Sequence, residues 1–171
     1  RKIHLAHCLK QGDWDAICKD LNQRPVEGID GSSSKEDILA ILAKYGIGNS
    51  EVKLWGTGTP LREFLWSEEM ADASVFVMEH VDFKDTYKQG DKDIRNCHIN
   101  IGTGKETSIR ELAELIVSTV GYQGQLTFDS TKPDGTMRKL TDPSKLHALG
   151  WQHKVEIEEG VQRMYNWYLG R

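Results

Sequence analysis

The chain has 171 residues, with 22 Lys and Arg against 26 Asp and Glu, a formal net charge of −4, and 38% hydrophobic residues. That length suits about one domain, the composition is that of a globular rather than a disordered chain, and the acidic balance argues against nucleic-acid binding, which shows as a basic domain or stripe. No run approaches the roughly 18 apolar residues of a membrane helix, no signal-peptide pattern is present, and Cys8, Cys18 and Cys97 are too irregular for a disulfide scaffold, so a cytoplasmic, reducing setting is expected.

The chain opens Arg1-Lys2-Ile3-His4-Leu5, without Met and inside an apparent helix, so a piece of a longer protein is expected. That helix runs to Lys10, and a second follows from Asp13 to about Leu21 before Arg24-Pro25 breaks it. After a loop over Val26 to Ser32, Ser33 and Glu36 have capping-box spacing, opening a helix that Gly46 stops after Tyr45. Glu51 to Trp55 alternates as a strand, Gly56-Thr57-Gly58-Thr59-Pro60 turns, and Leu61 to Trp66 alternates again. Ser67 has the place of an N-cap for a helix reaching Glu79, with Glu68 and Glu69 at its positive end.

Val81 to Asn96 is a polar surface excursion, and Cys97 to Ile101 is expected as a strand. Ser108 and Glu111 form a second capping box before a helix from Ile109 to Val120. Leu126 to Asp129 is a strand, Lys132 to Thr136 a turn, Asp142-Pro143 the start of a short helix closed by Gly150, and Ile157 to Leu169 the last helix. Strands and helices alternate, so the fold class is mixed α/β.

Several local patterns invite chemistry. His98 to Ile101, Gly102-x-Gly104 and the helix after Ser108 imitate a dinucleotide fingerprint with Asp129 as its acid, but Thr107 stands where the third glycine belongs, so the turn is a decoy. His4, His7 and Cys8 share a helix face that zinc would accept, yet no fourth ligand motif accompanies them. A reductase pair of Tyr four residues before Lys is absent: Tyr45, Tyr87, Tyr122 and Tyr165 precede Asn49, Asp91, Leu126 and Leu169 at that spacing. That reductase pair is therefore not expected in this chain. What remains is a set of anion-binding residues in turn contexts: Trp55 beside its Gly-rich turn, Arg62 after Pro60, and Arg138-Lys139 after the Pro133 turn.

The run from Trp55 to Ala71 (Trp-Gly-Thr-Gly-Thr-Pro-Leu-Arg-Glu-Phe-Leu-Trp-Ser-Glu-Glu-Met-Ala) resembles the GDP-L-fucose synthases, NADPH-dependent enzymes of the extended short-chain dehydrogenase/reductase family. The likeness continues through His98 to Gly104, Ile109 to Ala113, Phe128 to Leu140 and Leu146 to Trp151, covering about Val52 to Leu169 and the helix at Arg1 to His7. It implies the C-terminal, substrate-binding lobe, with the NADP-holding Rossmann domain, its Ser, Tyr and Lys and the catalytic Cys and His lying outside this chain. None of the three cysteines here matches that Cys.

By position, the resemblance makes Lys2 a basic contact for the GDP-sugar, Trp55 and Arg62 substrate contacts with Arg62 on the diphosphate, and Lys139 part of the same basic loop. Gln125 falls where the family has Arg or Lys, leaving a neutral contact, and Lys132 is a weaker candidate. Residues 9–50 exceed the family's connection between the first helix and the Trp55 strand and are expected to be an ordered insertion. The implied whole enzyme epimerises GDP-4-keto-6-deoxy-D-mannose at C3 and C5, reduces it with NADPH, and works as a homodimer. This chain alone is expected to be inactive and to hold no cofactor. The alternatives are another sugar-nucleotide epimerase or dehydratase, or a non-catalytic nucleotide- or metal-binding module.

Overall fold

The computed structural model describes residues 1–88, 90 and 93–170; within the polar excursion Val81 to Asn96, residues 89, 91 and 92 lie outside the described set. The fold is mixed α/β and divides into two units, Arg1–Pro60 with Ile109–Gly135 and Leu61–Ser108 with Thr136–Arg171.

The first unit holds helices α1 (Lys2–Gln11), α2 (Trp14–Gln23) and α3 (Lys35–Lys44), strand β1 (Glu51–Trp55), helix α5 (Ile109–Val120) and strand β4 (Gln125–Asp129). β1 and β4 pair in parallel from Glu51↔Gln125 to Trp55↔Asp129, with α5 preceding β4 as a parallel pair's crossover requires. Period-two alternation turns Val52 inward, where it is fully buried, and leaves Lys53 and Trp55 exposed on the opposite face. Leu5, Ile17, Leu21 and Ile38 are also fully buried in this unit. The 9–50 stretch forms α2 and α3, whose N-caps are Asp13, accepting from the Ala16 amide at 3.0 Å, and Ser34, accepting from Asp37 at 3.1 Å. The α3 cap is one residue later than expected, because the Ser33 hydroxyl is turned to the Asp30 amide at 3.1 Å.

The second unit holds β2 (Leu61–Arg62), α4 (Ser67–His80), a single 3₁₀ turn (Phe83–Thr86), β3 (Thr107–Ser108), β5 (Arg138–Lys139), α6 (Ser144–Ala148) and α7 (Ile157–Leu169). Its sheet has the order β3-β2-β5, with β2 antiparallel to β3 and parallel to β5. Ala73, Leu146 and Trp151 form its buried centre.

Four expectations shift here. The strand expected over Leu61 to Trp66 ends at Arg62, because Glu63 turns its carboxylate onto the amides of Thr103, Gly104 and Thr141. The strand expected over Cys97 to Ile101 does not form: among the described residues no strand flanks it, and Lys145 Nζ takes the carbonyls of Asn96 and His98 instead. Ser67 is the first residue of α4 rather than its cap, and Trp66 occupies the cap position without a side-chain bond. Similarly, α6 begins at Ser144, with the Asp142 carboxylate accepting the Ser144 amide at 3.0 Å. Among the described residues no helix is long and apolar enough to cross a membrane.

Candidate nucleotide-binding site

A cleft of about 960 Å³ opens in the first unit. Its floor is the exposed face of β1, carrying Glu51, Lys53 and Trp55 at alternate positions, with Asp129 at the end of β4; Lys2 of α1, the turn Ala43–Gly48 and Lys132 complete the lining. Trp55 is 72% exposed, an unusual state for an indole that is not awaiting a partner. The Lys132 ammonium lies 5.7 Å from its ring centroid, a weak cation–π contact.

The acids of this cleft are engaged. Hydrogen bonds from Thr131 hold the Asp129 carboxyl below the usual range, and the nearby Lys132 and Lys53 charges act in the same direction. Glu51 accepts the Thr127 hydroxyl. Lys44 is paired to Glu27 at 2.5 Å, but Lys2, Lys53 and Lys132 form no ion pair among the described residues. Partial burial holds the Lys2 ammonium below the ordinary lysine value. The result is an open indole beside three uncommitted cations, which suits a planar base or sugar carrying phosphate.

In the second unit Arg62 and Lys139 are register partners across the parallel β2–β5 pair, so they share one face of that sheet. The adjacent Arg138 is committed to Glu106 at 2.8 Å, leaving Lys139 uncommitted. Among the described residues Arg62 donates only to its neighbour's carbonyl, Leu61 O, at 2.6 Å. Lys2 and Trp55 thus meet in the first unit's cleft, and Arg62 and Lys139 meet in the second unit's sheet. Gln125 stands apart from both pairs. It is exposed at the start of β4, four residues and about 13 Å of strand from Asp129, and it does not line the cleft.

The two Gly-x-Gly turns bear on whether this chain cradles a dinucleotide. Such a cradle needs free backbone N–H groups. At Gly102-Thr103-Gly104, Glu63 Oε1 takes the Thr103 and Gly104 amides at 2.6 and 2.7 Å. At Gly56-Thr57-Gly58, Asp134 takes the Thr57 amide at 2.9 Å. Both turns are filled by the chain's own carboxylates, and neither fits a diphosphate. The His4, His7, Cys8 face likewise lacks metal geometry: among the described residues no group of three ligating side chains comes together. His4 Nε2 sits 3.5 Å from Cys8 Sγ, and burial pushes that thiol up to about 11.

Comparison with known proteins places the chain. A model of the NAD dependent epimerase/dehydratase family matches residues 25–102. GDP-L-fucose synthase 1 of Arabidopsis thaliana is 48% identical over 122 residues, 71% of this chain and 34% of that one. Over these residues the chain is similar to the NAD dependent epimerase/dehydratase family and to a GDP-L-fucose synthase.

Two solved structures from Campylobacter jejuni match along almost all of the chain. A GDP-6-OMe-4-keto-L-xylo-heptose reductase is 40% identical with a TM-score of 0.86, covering 99% of this chain and 46% of that one. A GDP-D-glycero-L-gluco-heptose synthase, solved in the presence of NADPH, is 39% identical with a TM-score of 0.84, covering 99% and 45%. The chain therefore spans between about a third and a half of the length of these matched proteins.

Sequence reasoning missed three participants. Lys53 looks like any outward strand lysine, and its uncommitted state depends on where Asp129 and Glu51 turn. Tyr45 and the Ala43–Gly48 turn reach the cleft only because Lys53 N donates to Gly46 O at 2.8 Å and Gly48 N to Glu51 O at 2.9 Å. Glu63, which fills the second Gly-x-Gly turn, gives no signal, since its partners lie 40, 41 and 78 residues away.

Proposed function

We propose that this chain is the substrate-binding part of an NADP-dependent GDP-sugar epimerase/reductase of the GDP-L-fucose synthase kind, and that its first-unit cleft receives the nucleotide. The observation that carries this reading is the exposed Trp55 indole beside Lys2, Lys53 and Lys132. The ring offers a stacking surface, and the ammonium groups offer charge to phosphoryl oxygens. Arg62 and Lys139 are a second pair of anion contacts, in the other unit, with Arg62 supplying a planar fork for two oxygens. Gln125, with a neutral amide, contributes at most a hydrogen bond.

The whole enzyme would convert GDP-4-keto-6-deoxy-D-mannose to GDP-L-fucose by 3,5-epimerisation and reduction of the 4-ketone. When bound, NADPH would supply the hydride for that reduction, and the two glycine turns filled by Asp134 and Glu63 would not hold it. In the absence of a Tyr and Lys at reductase spacing, this chain's part is to bind and orient the GDP-sugar. The partners are its own Rossmann domain and a second copy in a homodimer, in a cytoplasmic setting.

The test is titration of the protein carrying this chain with GDP and with UDP, followed by indole fluorescence. GDP should quench and saturate, with UDP weaker. An indole signal unmoved by GDP, or stronger binding of UDP, would overturn the reading.

A second reading is favoured by the Campylobacter heptose enzymes, which match 99% of the chain and so include residues 9–50. In it the substrate is a GDP-4-keto-heptose rather than a 6-deoxyhexose. NADPH oxidation with each keto-sugar in turn separates the two.

A further inference from the structure

In an alternating strand a lysine is ordinarily a solvated outer residue. Lys53 differs in three respects. First, its backbone holds the cleft wall. Lys53 N donates to Gly46 O at 2.8 Å, Gly48 N donates to Glu51 O at 2.9 Å, and Ile47 bridges Val52 in antiparallel sense. Gly46 has φ +68°, and a Cβ there would lie 2.8 Å from Lys53 Cβ. The Ala43–Gly48 turn is thus laid against the root of the Lys53 side chain, walling it on one side while it lines the cleft.

Second, its ammonium is bound to no carboxylate among the described residues, although the Asp129 charge lies near enough to be felt. The two acids lining the same cleft are occupied, Asp129 by Thr131 at 2.5 Å and Glu51 by Thr127, and Lys53 is in no ion pair among the described residues. Third, it is flanked on its own strand face by Trp55, two residues on, and shares the cleft with Lys2 and Lys132. Lys2, Lys53 and Lys132 outnumber Glu51 and Asp129 in this concavity, and the excess positive charge favours an anionic ligand.

We propose that Lys53 binds the phosphoryl oxygens of the nucleoside diphosphate in this cleft, and that the Gly46 turn held by its backbone is the wall that keeps its ammonium beside Trp55. The proposal rests on the reading of the cleft as the nucleotide site and adds to it a residue that the resemblance does not assign.

The experiment compares GDP with guanosine on the full-length protein, wild type against Lys53→Met and Lys53→Arg, at several salt concentrations. Loss of a charged hydrogen bond should weaken GDP about tenfold in Lys53→Met and leave guanosine unchanged. The dependence of GDP affinity on salt should become shallower, and Lys53→Arg should recover most of the loss. Wild-type GDP affinity in Lys53→Met would overturn the role of Lys53 and leave the nucleotide reading standing. Equal weakening of GDP and guanosine would also overturn it, since the residue would then act through packing. A wild-type protein that binds neither ligand would overturn the nucleotide reading itself, and this proposal with it.

Discussion

The carboxylate of Asp134 takes two hydrogen bonds from Thr57, the backbone amide at 2.9 Å and the hydroxyl at 2.6 Å. These bonds hold its pKa below the ordinary value and latch the turn that follows Trp55. Gly56 must be glycine there, because φ is +76° and a Cβ would meet Asp134 Oδ1 at 2.2 Å. Asp134→Ala should therefore lower the urea midpoint and weaken GDP binding through a loosened Trp55. Asp134→Asn retains an acceptor for the amide and should fall between it and wild type. Equal midpoints for all three proteins would show that the latch contributes nothing.

Gly58 sets a second constraint on the same turn. Its φ is +78°, and a Cβ would sit 2.4 Å from Phe128 Cε1, a ring already covered by the Arg110 guanidinium 4.1 Å from its centroid. Gly58→Ala should cost about 1–3 kcal/mol for the forced repacking and about 1–2 kcal/mol for the left-handed backbone. Gly121 provides the control, with φ +76° and nothing within 4 Å of a Cβ. Gly121→Ala should cost only the backbone part. Urea unfolding of both variants decides the matter: a Gly58→Ala cost no larger than that of Gly121→Ala would refute the clash.

Elements whose cause is local were legible from the sequence. The α1, α2 and α7 helices, the β1 and β4 strands and the Gly56–Pro60 turn all carry their signals within a few residues. The failures share a different cause. Cys97 to Ile101 alternates correctly but finds no neighbouring strand among the described residues, while the carbonyls of Asn96 and His98 go to Lys145, 49 and 47 residues away. Of the five residues the resemblance marks for substrate, Lys2 and Trp55 meet in one cleft and Arg62 and Lys139 pair in one sheet. Gln125, at the far end of its strand, joins neither. Lys53 was not legible because a free charge is defined by the partners its neighbours take.

Glu63 gives a pH prediction. Burial pushes its carboxyl up, but bonds from the Thr141 hydroxyl and amide and from the Gly104 and Thr103 amides outweigh this and leave its pKa below 4.5. A carboxyl with a depressed folded pKa contributes stability that is present above the unfolded pKa and is lost as pH falls through the folded one. Unfolding free energy should hold above about pH 5 and decline below about 4.5. Glu63→Gln should be less stable at pH 7 and show a shallower acid decline. A parallel decline in wild type and variant, followed by urea unfolding at each pH, would assign the acid sensitivity elsewhere.

Arg62 and Lys139 face the same way across β2 and β5, and two adjacent cations repel until an anion joins them. Glu106 does not relieve the repulsion, because its carboxylate is committed to Arg138 at 2.8 Å. A phosphoryl group touching both would convert an unfavourable pair into two charge-assisted bonds. In the full-length enzyme Arg62→Ala should raise the KM for the GDP-sugar about tenfold, the size of one lost charged hydrogen bond. Lys139→Ala should raise it less, since a mobile ammonium gives a single contact where the guanidinium gives two. If the same oxygens join both residues, the double variant should fall short of the product of the single effects. Steady-state kinetics against GDP-sugar concentration measures all three, and an unchanged KM in Arg62→Ala would remove this pair from the substrate site.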